Sequence, residues 1–342
     1  MTPMHINYDP AWLVHRHDAP QGDAPGRNCP LHYRYAPESF ARPADVPSVD
    51  VLYVVGGLYG NELALDRVLE LFAAERGRAR LVFNGDFHWF DADPEVFARV
   101  QRQVLAHTAL RGNVETELAA EPAGEGEGDD AGCGCAYPDW VGDAVVERSN
   151  RILRRLRTAA TPTQRAELAA LPMTLRADVG DFKLGIVHGD AQSLAGWGFA
   201  QEHLREAPHR DTVRGWFEQA KVEAFASTHT CLPVFQRLRS AGGASTRWVF
   251  NNGAAGMPNF NGDAAGLLTR IALDSFDGPQ RRFGVRQGEV FIDAIAIETD
   301  AAKAQARFLR QWAEGSDAHA SYFQRIAHGP SYRVNEAIRL EE

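Results

Sequence analysis

The chain of 342 residues is 44% apolar and 24% charged, a composition that excludes general disorder and allows a large buried core. Acidic residues outnumber basic ones 45 to 36, and the net charge of -9 argues against nonspecific binding to DNA, RNA or an anionic membrane. No apolar run approaches the roughly 20 residues a bilayer requires, and the N-terminal stretch MTPMHINYDPAWLVHRHD lacks the basic-then-apolar plan of a signal peptide, so a cytoplasmic location is expected.

Residues 1–50 are rich in Pro, Asp, His and Tyr without a helical or strand period. They read as an extended N-terminal arm wrapped on the domain, with the HRHD and HYRY clusters as surface polar residues. The core opens at Val51, where VLYVVGG is a β-branched apolar run ending in two glycines, the pattern of a buried parallel strand. Asn61 caps a helix carrying Leu63, Leu65, Val68, Leu69 and Phe72 at helical spacing, and a second buried strand at 79–83 completes a right-handed βαβ unit. A helix at 94–107 and a short strand at 109–111 follow.

Between Glu115 and Tyr137 large apolar residues are almost absent, and 121–130 carry five acids and no base, which predicts a solvated loop. Cys133 and Cys135 lie at its end. With Cys29 and Cys231 they are too few and too irregular for a disulfide framework, so they read as free thiols in a Gly-rich loop, with ligation of a soft metal as the alternative. Helical periods return at 140–158 and 162–171, and LPMTLRADVGDFKLGIVHGD reads as two strands around a Gly-Asp turn. Helical stretches at 201–206 and 211–220 lead to a strand at 222–226 and then STHTC. Strands at 246–251, 266–273 and 289–298 predict a second sheet stacked on the first, and a helix at 301–314 closes the domain. No repeat or linker divides it, so one domain is predicted over 51–315, with an insert at 116–160 and a tail at 316–342 packed on it.

A polar group follows each predicted strand: GGLYGN, NGDFHWFD, GNVE, VHGD and STHT, in that order. Open α/β sheets bind ligands beyond the carboxyl ends of their strands, so these loops should converge, and their Asp, Asn and His suit a hard or borderline divalent cation. Taken singly the residues have plainer explanations. An Asp after a strand caps a turn, an Asn after Gly is turn chemistry, and a lone His is a hydrogen-bonded core residue.

Together the loops resemble the calcineurin-like metallophosphoesterases, whose motifs run D-x-H, G-D-x-x-D, G-N-H-[ED], an isolated H and G-H-x-H. The resemblance spans about 51–256. Gly85 and Asp86 fit the second motif, Gly112, Asn113 and Glu115 the third, His188 the isolated histidine, and His229 the last histidine of the fifth. FNNGAAGMP at 250–258 resembles the strand end that follows it. The implied fold is α/β, a metallophosphoesterase-type sandwich of two mixed β-sheets flanked by helices. The departures are Gly57 and Tyr59 at the ligand positions of D-x-H, Trp89 at the trailing Asp of the second motif, Val114 at the histidine of the third, and Ser227 at the first histidine of the fifth.

Carried over position by position, the resemblance leaves a first metal with Asp86 and His229, and a second with Asp86, Asn113 and His188. The expectation is one divalent ion (Mn, Fe, Zn or Mg) held by Asp86, Asn113 and His188, with His229 reaching across. His88, His229 and Tyr59 are the candidates for hydrogen bonding or proton transfer, and His88, two residues after Asp86, is also the first candidate to replace a lost ligand. The implied activity is hydrolysis of a small phosphate mono- or diester, with substrate choice in the insert and the arm. The substitutions favour an alternative, an inactive phosphoesterase-fold protein repurposed for binding or regulation. A metal-thiolate role built on Cys133, Cys135 and Cys231 is a third reading.

Overall fold

A computed structural model describes residues 24–120, 132–240, 243 and 245–340. The HRHD cluster and the acidic run at 121–130 lie outside the described residues. The strands are β1 (Val46–Val49), β2 (Val51–Val55), β3 (Ala79–Asn84), β4 (Thr108–Leu110), β5 (Thr174–Val179), β6 (Phe182–Val187), β7 (Ala224–Ser227), β8 (Val234–Arg239), β9 (Thr246–Asn251), β10 (Gly266–Ala272), β11 (Arg281–Gln287), β12 (Val290–Ile297) and β13 (Ile338–Arg339). The helices are α1 (Glu62–Ala73), α2 (Pro94–Leu105), α3 (Asn113–Ala119), α4 (Asp143–Leu156), α5 (Pro162–Ala169), α6 (Ala207–Ala220), α7 (Ala301–Gln311) and α8 (Asp317–His328).

Two mixed sheets result, as the resemblance implies. One has the order β1-β5-β6-β7-β9-β8-β13 and the other β11-β12-β10-β2-β3-β4. The strands at 246–251, 266–273 and 289–298 do not form a sheet of their own: β10 and β12 join β2, β3 and β4, while β9 joins β5, β6 and β7. Strand alternation sorts the side chains into layers. Leu52 and Val54 of β2 join Val82, Ile186, Ala226, Phe250 and Ile292 in the core between the sheets. Tyr53 and Val55 face the other way, onto Leu65 and Val68 of α1 and Phe97 of α2. Phe225 and Val249 carry the outer face of the second sheet onto Trp216 and Phe217 of α6. Burial on both faces is why these strands read as unbroken apolar runs. The predicted cap forms too, since Asn61 accepts from the Ala64 N–H at the start of α1, and Asp93 caps α2 in the same way.

The sheets meet at the carboxyl ends of their parallel strands. Gly57 bridges to Ala254, and the His188 carbonyl accepts from the backbone N–H groups of both Thr228 and His229. This brings the strand-end loops to one place.

The structure differs from expectation where polar residues are put to internal use. The stretch from 115 is helical in α3, and Glu115 and Glu117 are buried, as are Cys133, Cys135 and Tyr137 beyond the acidic run. In the HYRY cluster His32 and Arg34 are exposed, as expected, but the tyrosines turn inward. Tyr33 is fully buried and donates to Glu117, and Tyr35 donates to the Asp190 carbonyl. In the arm, β1 pairs parallel with β5. Beyond 316, α8 packs near α4 and β13 extends a sheet by pairing with β8. The strand β8, second from its sheet's edge, and the edge strand β11 escape the sequence because VFQRLR and RRFGVRQ mix charges into the apolar pattern. The 201–206 stretch is only a 3-10 turn at His203–Arg205. Among the described residues no helix is long and apolar enough to cross a membrane.

Candidate metal centre

The site begins where β3 ends. Gly85 (φ 80°) and Asp86 (φ 55°) are consecutive left-handed residues that turn the chain sharply back. Gly85 has no substitute, since a Cβ there would lie 2.5 Å from the Gly112 nitrogen and 2.7 Å from His188 Nδ1. Glu115, in the first turn of α3, stabilises this strained turn. Its carboxylate accepts from the N–H groups of Asp86 (2.7 Å), Phe87 (3.0 Å) and Gly112 (2.9 Å), tying the loops after β3 and β4 together.

Four side-chain atoms then converge. His188 Nε2 lies 3.3 Å from Asp86 Oδ2, 3.1 Å from Asn113 Oδ1 and 3.2 Å from His229 Nδ1. Asp86, His188 and His229 each offer a ligand atom, all within 4.8 Å of one another. Behind each sits a fixed partner. His188 Nδ1 meets the Asn84 carbonyl at 2.8 Å, His229 Nε2 the Cys135 carbonyl at 3.0 Å, and Asn113 Nδ2 the Cys133 carbonyl at 2.9 Å, while Asp86 Oδ1 accepts from the Val114 N–H.

A carbonyl can only accept, so the outer ring nitrogens carry the protons and, in the neutral rings, the inner nitrogens carry lone pairs. A His188 lone pair that faces two oxygens and a second ring nitrogen at 3.1–3.3 Å is repelled unless a cation or proton stands among them. One carboxylate, one amide oxygen and two imidazoles fit a borderline divalent ion. The electrostatics agree. Burial would raise Asp86, but the His188 and then the His229 imidazoles outweigh it and hold the carboxyl below its ordinary value. Burial and then neighbouring His188 push His229 down to about 4, so its ring is neutral at pH 7. His188 goes the other way, because Asp86 outweighs the burial that would lower it.

The outer shell comes from the GCGC segment, which the sequence did not tie to the site. Positive φ at Gly132 (62°), Gly134 (64°) and Ala136 (47°) alternates with Cys133 and Cys135, and the cysteine carbonyls accept from Asn113 and His229, while the Cys135 thiol lies against the Asn113 amide nitrogen at 3.5 Å. Burial and the neighbouring Cys133 raise the Cys135 thiol well above its ordinary value, which opposes ligation as a thiolate. No cysteine belongs to the convergent group among the described residues.

The other side of the cavity is built differently. Tyr59 (φ 52°) folds its ring over Gly57, where a Cβ would lie 2.4 Å from Tyr59 Cζ, and its hydroxyl lies 2.8 Å from Cys231 Sγ. The two departures from D-x-H are therefore one packing arrangement. His229 does not reach across to a separate position, since it stands with His188. Ser227, at the first histidine of the fifth motif, stays buried inside β7.

His88 is not brought to the site. The reversal at Gly85 and Asp86 sends its ring to stack on Phe97 at 3.7 Å, with Nδ1 2.7 Å from Asp91 Oδ2, and both side chains are fully buried. Trp89, Tyr137, Trp197, Tyr322 and Arg325 complete the cavity wall. The sequence pointed only to Trp89 among these, through its place in the second motif.

No protein-family model matches the chain, and no curated protein matches it. Solved structures do. A metallophosphoesterase from Sphaerobacter thermophilus is 16% identical, with 82% of this chain and 100% of that one covered and a TM-score of 0.50. A hypothetical protein from Pyrococcus horikoshii OT3 is 14% identical, with 82% and 98% covered and a TM-score of 0.53. The likeness establishes the architecture: the chain has the metallophosphoesterase fold.

Proposed function

We propose that the protein is a metal-dependent hydrolase of small phosphate esters, working with one divalent ion held by Asp86, Asn113, His188 and His229. The observation that carries this reading is the convergence of four ligand atoms, each with its far side anchored to the backbone. A divalent ion bound there supplies Lewis acidity toward a phosphoryl oxygen and a water of lowered pKa.

The chain's own groups do the remaining work. Burial and then the nearby Cys231 and Asp86 raise the Tyr59 hydroxyl well above its ordinary value, so Tyr59 keeps its proton and serves as a hydrogen-bond donor to a phosphoryl oxygen. Val114 offers no proton to a leaving group, so esters of acidic alcohols, aryl phosphates among them, react faster than alkyl ones. His88 is sealed from the cavity and acts through packing alone. The aromatic wall of Trp89, Tyr137, Trp197 and Tyr322 excludes water and favours a planar or apolar ester group.

Gly57, Tyr59 and Cys231 favour a second reading, a protein that keeps the scaffold and binds without turning over. Calorimetric titration of metal-stripped protein with manganese or zinc, followed by assays on aryl phosphate mono- and diesters, separates the two. The hydrolase reading expects one equivalent of ion and turnover that Asp86→Ala abolishes. Ion uptake without turnover leaves the second reading, and no uptake overturns the metal site.

A further inference from the structure

We infer that Arg325 binds the phosphoryl group of the substrate on the Tyr59 side of the cavity. The inference rests on the hydrolase reading above. Arg325 lines the same cavity as Asp86, Asn113 and His229. It stands on α8 one turn from Tyr322, and α8 is pinned to α4 by the Arg151–Asp317 ion pair (2.6 Å) and by Arg148 donating to Ser321 Oγ (2.7 Å).

Two backbone carbonyls fix the plane of its guanidinium: Nη2 donates to Cys231 O at 2.9 Å and Nε to Pro258 O at 3.2 Å. Neither carries net charge. Arg99, Arg151, Arg270, Arg281 and Arg282 all pair with carboxylates, but among the described residues no carboxylate forms an ion pair with Arg325. The bond to the Cys231 carbonyl places the guanidinium on the Tyr59 and Cys231 side of the cavity.

A half-buried, oriented cation without a counter-ion, facing a small cavity, is suited to an anion with two oxygens in one plane, as a phosphoryl group presents. Arg325 thereby restores at the Gly57 and Cys231 side a charge that protein ligands no longer gather there.

The test is calorimetric binding of inorganic phosphate to the full chain, metal-free and with manganese, for wild type, Arg325→Gln and Arg325→Lys. Manganese titrations and melting temperatures are taken on the same samples. Arg325→Gln should weaken phosphate binding about 10- to 100-fold in both states, with manganese affinity within about twofold of wild type, and Arg325→Lys should fall between. Wild-type phosphate affinity in Arg325→Gln, or no phosphate binding by wild type in either state, overturns the inference. If Arg325→Gln melts below the assay temperature, Arg325→Lys decides: a several-fold loss supports the planar fork and wild-type affinity overturns it. Failure of wild type to take up manganese overturns the hydrolase reading instead, and the metal-free phosphate titrations still decide the role of Arg325.

Discussion

The two sides of the cavity grow from equivalent strand-end loops and reach opposite solutions. Around His188 every inward ligand atom has a backbone group behind it, so the polar side chains are held apart in a costly, mutually repelling arrangement. Around Tyr59 the space is filled by a phenol lying on Gly57 and touching Cys231. Ligand side chains without an outer shell can relax into ordinary packing. Those with one are held in place, which is the difference between the His188 side and the Tyr59 side. It also explains why the departures cluster: Gly57 and Tyr59 depend on each other sterically, so neither reverts to a ligand alone.

The sharpest way to break the comparison is Asp86→Ala. It should lower manganese affinity by more than about 100-fold, beyond what outer-shell losses produce, and remove turnover with it. Equal calorimetric affinity in the variant would erase the distinction between the sides. Next comes the response of the metal-free protein to acid. His229 has a folded pKa of about 4 against an ordinary 6.5, so between those values the unfolded chain binds a proton that the native state refuses. Its contribution to stability is therefore present above pH 6.5 and lost as pH falls toward 4, about 3 kcal/mol in all. Raised His188 acts in the opposite sense, adding stability below its ordinary value that is lost as pH rises through the raised one. Urea unfolding across this range should show the acid limb flatten in His229→Gln and persist in Tyr59→Phe.

Gly134→Ala probes the outer shell. Its φ of 64° and a Cβ only 2.2 Å from the Tyr33 hydroxyl should cost about 1–3 kcal/mol and displace both cysteine carbonyls, weakening manganese binding about 10- to 100-fold. The smallest effects belong to Cys133→Ser and Cys135→Ser, which keep the carbonyls and should change ion affinity less than about threefold, within one ordinary hydrogen bond. A larger loss there would revive ligation by thiolate.

The apolar runs of β2, β3, β6, β9, β10 and β12 were legible because strands buried on both faces need no alternation. Asp86, Asn113, His188 and His229 were legible because strand-end loops in family order announce them. The outer shell was not. Backbone carbonyls leave no residue-type signature, and those of Cys133 and Cys135 are aimed by left-handed turns and by contacts to a tyrosine about a hundred residues earlier. His88 misled through its nearness to Asp86, since two positive φ angles separate their directions. Arg325 and Tyr322 sit on a helix one turn apart and share no motif with the loops they face.

The wall of this cavity is also a statement about time. Asn113 is oriented by Cys133, His229 by Cys135, and the Cys231 loop by Arg325, so no single supersecondary unit contains a finished site. Closing these long loops is entropically expensive and comes after local helices and hairpins have formed. During refolding the ability to capture an ion should therefore lag behind the recovery of helical and sheet signal. An ion added at the start would find few of its ligands assembled, and one added late would lock a chain that has already folded around its place.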